Sequence, residues 1–328
     1  MILAGDVGGT KTYLARFEVA GGLPGTPDGP ELVPSAAFPS FEALLHEYLA
    51  RHPGPVEAAC FGVAGAVVDE CVRVTNLPWI VDGASLARKL GLRRVHLLND
   101  LVATGYGIAA LHPGELDCLQ AGDPARDANA GILAPGTGLG ESILVRVGRD
   151  FLPVPSEGGH ADFAARTDDE LRVFRAFRER YGRVSYERVL SGPGITALGE
   201  HFHQERGAER EWASHVASAD EHGPAEVVSA RGMDGSCDAC VDAMRLFVGV
   251  LGAEAGNLAL RAVARAGIYL GGGIPPKILP ALKWDRFLES FLDKDHLRPL
   301  LTTIPVWVIL NPRTGLLGAA RYAGLAEG

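Results

Sequence analysis

The sequence predicts an α/β protein with two lobes. The chain has 328 residues, which is more than one hydrophobic core usually serves. Short apolar runs with strand spacing alternate along it with segments of helical spacing. A unit of strand, glycine-rich turn and strand opens the chain and occurs again over residues 130–147. Because this unit is repeated, the two lobes are expected to share a related plan.

The first predicted elements are a strand over 1–7 and, after a glycine turn, a strand over 11–19. A loop rich in Gly and Pro is predicted over 21–34, and a helix over 41–51. Two buried strands over 56–65 and 95–98 follow, and then a second helix over 101–111. Asn99 and Asp100 stand where a strand ends and a helix begins. Polar side chains in that position are well placed to face a ligand.

The second part opens with a strand from residue 130, a glycine turn over 135–140 and a strand over 141–147. Later helices are predicted over 169–181, 193–205, after Cys237, from Pro275 and over 315–323, with strands over 268–270 and 306–310. The apolar stretch 241–264 is broken by charged residues. Since a membrane span would bury those charges at high cost, this stretch is expected to be a core helix.

Composition narrows the functional classes. The chain carries 31 basic and 40 acidic residues, a net charge of −9, which disfavours nucleic acid and anionic membranes as partners. Five cysteines, an odd number, are typical of reduced thiols rather than of a disulfide framework. The N-terminus lacks the features of an export signal. These observations predict a cytoplasmic protein.

Three glycine loops, each after an apolar strand, predict a nucleotide site, because one nucleotide needs close backbone approach at several points. The first is not a Walker loop, since Thr10 separates Gly9 from Lys11, and the second lacks the Rossmann spacing. The predicted nucleotide-binding residues are Asp6, Val7, Gly8, Gly9, Thr10 and Lys11 in the first loop, Gly136, Thr137 and Gly138 in the second, and Gly271, Gly272, Gly273 and Ile274 in the third. Asp6 is also predicted to hold Mg²⁺ through water.

Together with three further segments, these loops resemble the bacterial glucokinase family, within the superfamily of sugar kinases, actin and heat-shock chaperone ATPases. The segments are 97–100 (LLND), 155–163 (PSEGGHADF) and 186–192 (YERVLSG), and the resemblance spans nearly the whole chain. It implies two ribonuclease H-like, actin-like ATPase lobes with mixed sheets flanked by helices. ATP and sugar would meet in a cleft between a small lobe, 1–110 completed by the C-terminal helix 301–328, and a large lobe, 111–300. The resemblance also implies a homodimer.

The resemblance implies that Asp100 is the catalytic base and that Asn99, Glu157, His160 and Glu187 hold the sugar hydroxyls. An aspartate beside the attacking hydroxyl can accept its proton as the bond to phosphorus forms. The alternative for Asp100 is a helix N-cap. Carboxylates, an amide and an imidazole can satisfy neutral hydroxyls that both donate and accept. Taken singly, His160 would be a structural histidine and Glu187 a solvated helix residue.

Two features concern the related repressor-and-kinase (ROK) family. Lys11 stands where many glucokinases have Asn, and Lys is also common there in ROK proteins. The zinc motif that ROK proteins usually place after the sugar-binding histidine does not follow His160. Cys237 and Cys240 form a single pair, which favours a structural role over zinc binding. His201, His203, His215 and His222 lie in a polar stretch and are predicted to be surface residues.

The leading hypothesis is therefore a glucokinase that moves the γ-phosphate of ATP to the 6-hydroxyl of glucose. A kinase for another hexose or an amino sugar keeps the same fold. A sugar-sensing repressor is disfavoured by the negative charge and by the phosphate loop at the N-terminus. An actin-like filament or chaperone ATPase would hydrolyse ATP without sugar.

Overall fold

The computed structural model of the chain describes residues 1–219 and 223–327, so the prediction for His222 lies outside the described residues. The strands are β1 Ile2–Val7, β2 Lys11–Phe17, β3 Val19–Ala20, β4 Leu23–Pro24, β5 Asp28–Pro34, β6 Ala58–Val63, β7 Val67–Val68, β8 Cys71–Arg73, β9 Ile80–Asp82, β10 Val95–Asn99, β11 Leu116–Gln120, β12 Ala130–Pro135, β13 Leu139–Val147, β14 Asp150–Val154, β15 Gly267–Leu270 and β16 Val306–Ile309. The helices are α1 Phe41–Arg51, α2 Gly83–Leu90, α3 Asp100–Gly107, α4 Asp168–Tyr181, α5 Tyr186–Val189, α6 Gly192–Glu205, α7 Glu209–Ala217, α8 Pro224–Asp234, α9 Asp238–Ala262, α10 Leu279–Leu282, α11 Asp285–Leu292, α12 Arg298–Thr302 and α13 Thr314–Glu327. These elements form two compact units.

The first unit contains Met1–Glu115, Val147–Pro155 and the C-terminal segment from Asn311. Its five-stranded sheet has the order β10-β6-β1-β2-β5. Strand β1 pairs in parallel with β6 and antiparallel with β2, and β6 pairs in parallel with β10, so the sheet is mixed. In these pairings Val7 and Asn99 both lie opposite Val63. The carboxyl ends of three parallel strands therefore meet at one edge of the sheet.

Side chains of β1 alternate between two hydrophobic clusters, as strand geometry requires. Leu3 and Val7 pack in one cluster with residues of α1 and α2, and Ile2 and Ala4 pack in another with residues of α3 and α13. Gly318 allows α13 to lie close to α3, because a Cβ there would come within 1.7 Å of a backbone oxygen of α3. Helices thus cover both faces of this sheet.

The second unit contains Leu116–Arg146 and Ser156–Leu310. Its sheet strands have the order β11-β16-β15-β12-β13, with β12, β15 and β16 parallel and the two outer pairs antiparallel. Helix α9 is long and apolar enough to cross a membrane by length and composition, yet 83% of its apolar window is buried inside the protein. Phe247, Val248 and Leu251 on this helix are fully buried in the main hydrophobic cluster. The prediction of a core helix is confirmed.

Most predicted elements are present, and two predictions were wrong. Part of the expected loop 21–34 forms the strand β5, which pairs with β2 at the edge of the sheet, where prolines are tolerated because no ladder partner needs their missing N–H. The helix expected from Pro275 begins instead at Leu279. Backbone amides of Lys277 and Ile278 bond to the Ile274 carbonyl, which forms turns over this stretch rather than a continuous helix.

Candidate active site

The β1–β2 hairpin carries the first glycine loop. The amide of Gly8 donates to the Lys11 carbonyl at 3.0 Å, and the Ser35 hydroxyl donates to the Gly8 carbonyl at 2.7 Å. A Cβ on Gly9 would come within 2.5 Å of the Thr75 carbonyl oxygen, so only glycine fits there without a shift of backbone. The side chains of Thr10 and Lys11 are exposed. Contacts with Ser35 and Thr75 therefore hold the hairpin in place, while the side-chain donors of Thr10 and Lys11 face solvent.

Asp6 ends this strand in an unusual electrostatic setting. Burial, and secondly the charge of Asp100, raise the pKa of Asp6 from 3.8 to about 7. Gly315, near the N-terminus of α13, lies so close that a Cβ would come within 3.0 Å of the Asp6 carboxylate. Two like charges at one sheet edge oppose the ionisation of Asp6. A proton on Asp6, or a bound cation, would remove the repulsion between the two carboxylates.

Asn99 and Asp100 have different local roles. The Asn99 side chain caps α3, because its oxygen accepts from the amides of Leu101 and Val102 at 3.0 and 3.3 Å. Its amide nitrogen donates to the Gly65 carbonyl at 3.1 Å. Asp100 is the first residue of the helix and accepts from the Leu101 amide at 2.9 Å. The N-cap alternative considered for Asp100 therefore applies to Asn99 instead.

In the second unit, the two remaining glycine loops lie side by side. The Gly271 amide donates to the Leu133 carbonyl at 2.9 Å, and the Ile274 amide donates to the Pro135 carbonyl at 3.3 Å. Gly272 has φ +78°, and a Cβ there would come within 2.6 Å of the Pro135 oxygen, so glycine is required at this position. The predicted residues 136–138 and 271–274 are thus brought together by the neighbouring parallel strands β12 and β15.

Glu187 and His160 are also brought together. A backbone ladder joins the 161–163 segment to 184–186, with the Phe163 amide bonded to Val184 and the Tyr186 amide to Ala161. As a result, His160 Nδ1 lies 3.8 Å from Glu187 Oε1. The other carboxylate oxygen, Oε2, accepts from the Leu139 amide at 3.0 Å. The Glu187 carboxylate therefore connects the histidine loop to the second glycine loop.

Glu157 is exposed and begins the turn that carries His160, since its carbonyl accepts from the His160 amide at 3.0 Å. The guanidinium of Arg183 bonds both Asp162 Oδ1, at 2.8 Å, and the His160 carbonyl, at 2.5 Å. A carboxylate, an imidazole and a second carboxylate thus stand on a braced surface of this unit. Such a group can donate to and accept from neutral hydroxyls.

Glu141 beneath this loop was missed by the sequence reasoning. Its side chain is 2% exposed, and a Cβ on Gly158 would come within 2.4 Å of its Oε2. Burial and the neighbouring carboxylate of Glu254 raise the pKa of Glu141, while Arg261 bonds both carboxylates. The signal available was a glutamate directly after the second glycine loop, at the start of a largely apolar strand. The contact with Gly158 places Glu141 as a support for the loop of Glu157.

One further prediction was wrong. His203 and His215 are not surface residues, because their exposed fractions are 0% and 3%. In the sequence Cys237 and Cys240 form a single pair, but in the fold these two histidines lie beside them. The error arose because the histidines belong to helices α6 and α7, whose packing against α9 cannot be read from local sequence.

Comparisons with known proteins agree with this architecture. The glucokinase family model matches residues 3–326. A glucokinase of Nostoc punctiforme is 37% identical over 98% of each chain. The crystal structure of a glucokinase from an Antarctic psychrotroph has a TM-score of 0.84 and 30% identity, covering 99% of this chain and 98% of that one. A ROK family glucokinase structure from Streptomyces griseus, with a TM-score of 0.65 and 21% identity over 99% of both chains, shares the fold.

Mixed sheets flanked by helices, with glycine hairpins closing the strands, define an α/β protein of the actin-like ATPase fold, the class to which glucokinases and ROK sugar kinases belong. The match extends over nearly the whole length of both chains. This chain belongs to the glucokinase family. The family predicted from the sequence is confirmed.

Proposed function

We propose that this protein is a cytoplasmic glucokinase, which transfers the γ-phosphate of ATP to the 6-hydroxyl of glucose and yields glucose 6-phosphate and ADP for glycolysis. The observation that carries the proposal is the pair of Asp6 and Asp100 at one sheet edge, where burial and then the charge of Asp100 disfavour the ionisation of Asp6. Family membership supports glucose as the acceptor. We further propose that the two units are the small and large lobes and that the protein is a homodimer, which light scattering would test.

Asp100 is proposed as the catalytic base. Phosphoryl transfer requires mainly positioning, charge neutralisation and a proton acceptor. Its position as the first residue of α3, next to a capping Asn99, fixes the backbone on which the carboxylate stands. The proton of the 6-hydroxyl would pass to a carboxylate oxygen of Asp100 as the hydroxyl attacks phosphorus.

The carboxylates present fit Mg²⁺. Burial and the charge of Asp100 raise the pKa of Asp6. A divalent cation beside the two carboxylates would offset their repulsion and favour the ionised form of Asp6. Mg²⁺ prefers oxygen ligands, uses few carboxylates and keeps several waters, which is consistent with Asp6 acting through water. The ion, when bound with ATP, would neutralise phosphate charge. Asp6 would keep it in place, and Val7, Gly8, Gly9, Thr10 and Lys11 would donate to the phosphates.

The loops of the second unit are proposed to hold the rest of the nucleotide and the sugar. Gly136, Thr137 and Gly138 would donate to the outer phosphates, while Gly271, Gly272, Gly273 and Ile274 would lie beside adenine and ribose. The ladder around His160 supports a sugar site of His160, Glu157 and Glu187. The role of Asn99 in binding the sugar is proposed from membership of the glucokinase family. A site of this type penalises a sugar that lacks one hydroxyl, because its own polar groups lose their partners.

A coupled assay that reports ADP tests the proposed function. Purified protein with ATP and Mg²⁺ is expected to phosphorylate glucose with the highest kcat/KM among glucose, mannose, fructose, galactose and N-acetylglucosamine. Preference for another member of this panel would assign a different sugar kinase. ATP hydrolysis that is as fast without sugar as with it would contradict the proposal and indicate an ATPase.

Gly138→Ala is expected to raise the KM for glucose. A Cβ at this position would come within 2.5 Å of Glu187 Oε2 and would push the carboxylate off the Leu139 amide. Because the carboxylate is a flexible side-chain end, stability should change little, while KM for glucose should increase about 10-fold, the cost of one misplaced hydrogen bond to a charged group.

The control is Gly114→Ala, where an added Cβ meets nothing within 4 Å. That variant should keep the KM of the parent protein. If Gly138→Ala binds glucose normally and changes only the KM for ATP, Glu187 does not hold the sugar.

A further inference from the structure

Four buried side chains in the second unit form a cluster that the proposed reaction does not use. His203 on α6, His215 on α7, Cys237 at the N-cap of α9 and Cys240 one turn into α9 each direct one nitrogen or sulfur atom to a common point, and these atoms all lie within 4.8 Å of one another. All four residues are buried. Two thiols and two imidazoles are the ligand set of structural zinc sites.

Two distances within the cluster are close to those of a tetrahedral zinc site. Cys237 Sγ lies 3.6 Å from His203 Nε2, and Cys240 Sγ lies 3.9 Å from His215 Nδ1. With Zn–S near 2.3 Å and Zn–N near 2.05 Å, tetrahedral geometry sets an S···N separation of about 3.6 Å. The two cysteines are separated by two residues at a helix start, the spacing common in zinc sites. One ion therefore fits without large movement of any side chain.

The second nitrogen of His203 is hydrogen-bonded in the way a metal ligand requires, and that of His215 faces a carboxylate. His203 Nδ1 lies 2.6 Å from the Gly199 carbonyl oxygen and must donate its proton there, so that Nε2 presents a lone pair to the cluster. His215 Nε2 lies 3.7 Å from the Glu211 carboxylate, and Nδ1 is the nitrogen that faces Cys240. A carbonyl partner such as that of His203 fixes the tautomer of zinc-bound histidines.

Charge neutrality also suits a zinc ion at this buried position. One Zn²⁺ with two thiolates and two neutral imidazoles has no net charge. A neutral group of this kind suits a buried position.

We propose that His203, His215, Cys237 and Cys240 bind one structural Zn²⁺. Binding forms two Zn–S and two Zn–N bonds and releases the two thiol protons to solvent, with no change of oxidation state. Because four protein ligands complete the tetrahedron, the ion has no open position for substrate. The ion ties α6 and α7 to the start of α9.

The site is linked to the second glycine loop through α6. At the opposite end of this helix, the Gly192 amide donates to the Gly136 carbonyl at 2.9 Å. The zinc would therefore hold the C-terminal end of α6, and the N-terminal end of the same helix contacts the second glycine loop. We expect loss of the ion to lower thermal stability first.

Metal content of the whole protein tests the proposal. Protein purified without chelator, or refolded with Zn²⁺ and freed of excess by gel filtration, should contain about one zinc per chain by plasma mass spectrometry. Cobalt in place of zinc should produce the visible bands of tetrahedral Co²⁺ and a thiolate charge-transfer band. Removal of the ion with a chelator should lower the Tm by about 5 °C or more, and added Zn²⁺ should restore it.

Cys240→Ser and His203→Gln should each reduce bound zinc by at least about 10-fold, the effect expected of a lost ligand. Cys118→Ser and His201→Gln are the matched controls, since Cys118 is exposed on a strand and His201 lies on α6 outside the cluster. Both controls should keep one zinc per chain.

The wild-type result decides the question even if a cluster variant fails to fold. Wild-type protein that retains no zinc after reconstitution, or cobalt spectra without thiolate charge transfer, would overturn the proposal. A reductant-sensitive loss of two hydrogens, located by peptide mapping to Cys237 and Cys240, would show a disulfide there instead and would also overturn the proposal.

Discussion

Asp100→Asn should lower kcat by about 10³-fold while the Kd for glucose changes less than about 10-fold. The substitution removes the proton acceptor but keeps a side-chain oxygen that can accept from the Leu101 amide, as Asp100 does at 2.9 Å. The helix cap stays intact because Asn99, not Asp100, supplies it. Steady-state kinetics measure the first quantity, and titration calorimetry with glucose measures the second.

Asp285→Asn is the matched control, since Asp285 is likewise the first residue of a helix, α11, and its side chain is exposed. It should leave kcat and the glucose Kd unchanged. If Asp100→Asn retained turnover within about 10-fold of the parent protein, another group would have to accept the proton.

Local patterns were sufficient to predict the strands that end at the first glycine loop and at Asn99. The apolar run before Asp6 predicted β1, and the run before Asn99 predicted β10, because an almost continuous apolar stretch of this length is typical of a strand buried on both faces. In β5, by contrast, exposed and partly buried residues alternate beside β2, and its prolines indicated a loop. Pairing of a strand at a sheet edge depends on tertiary structure, which the local composition of the segment does not show.

The same limit explains the residues that were missed. Glu141 looked like an ordinary strand residue, and its raised pKa depends on burial and on Glu254, which is far along the chain. His203 and His215 have no recognisable ligand spacing, because they belong to different helices that converge only on packing. The resemblance to glucokinases supplied the candidate roles of Glu187 and His160, and the ladder between 161–163 and 184–186 explains why these two lie together.

Asp6→Asn is expected to raise the stability of the protein at alkaline pH and to lower its activity. In the folded protein the pKa of Asp6 is about 7, above its ordinary value of 3.8, because of burial and the charge of Asp100. The folded state therefore binds a proton more tightly than the unfolded chain does. The stability that this proton contributes is complete below pH 3.8 and is lost as the pH rises towards 7.

Asparagine resembles the protonated aspartic acid at all pH values. Without divalent cations, Asp6→Asn should have nearly the stability of the parent protein at pH 4 and be more stable by about 2 kcal/mol at pH 8, a figure reduced for the partial exposure of Asp6. Denaturant unfolding at both pH values measures this difference. Activity should nevertheless fall about 10²-fold, because the proposed magnesium ligand is lost.

Magnesium provides the second half of the test. With ATP present at pH 8, added Mg²⁺ should raise the Tm of the parent protein more than that of Asp6→Asn, since only the parent offers a carboxylate at this position. Asp285→Asn should respond as the parent does. The prediction would be contradicted by an Asp6→Asn variant that is less stable than the parent protein at pH 8 and equally active. In that case Asp6 would be ionised in the folded protein, stabilised by a neighbouring group, and would have no role in the nucleotide site.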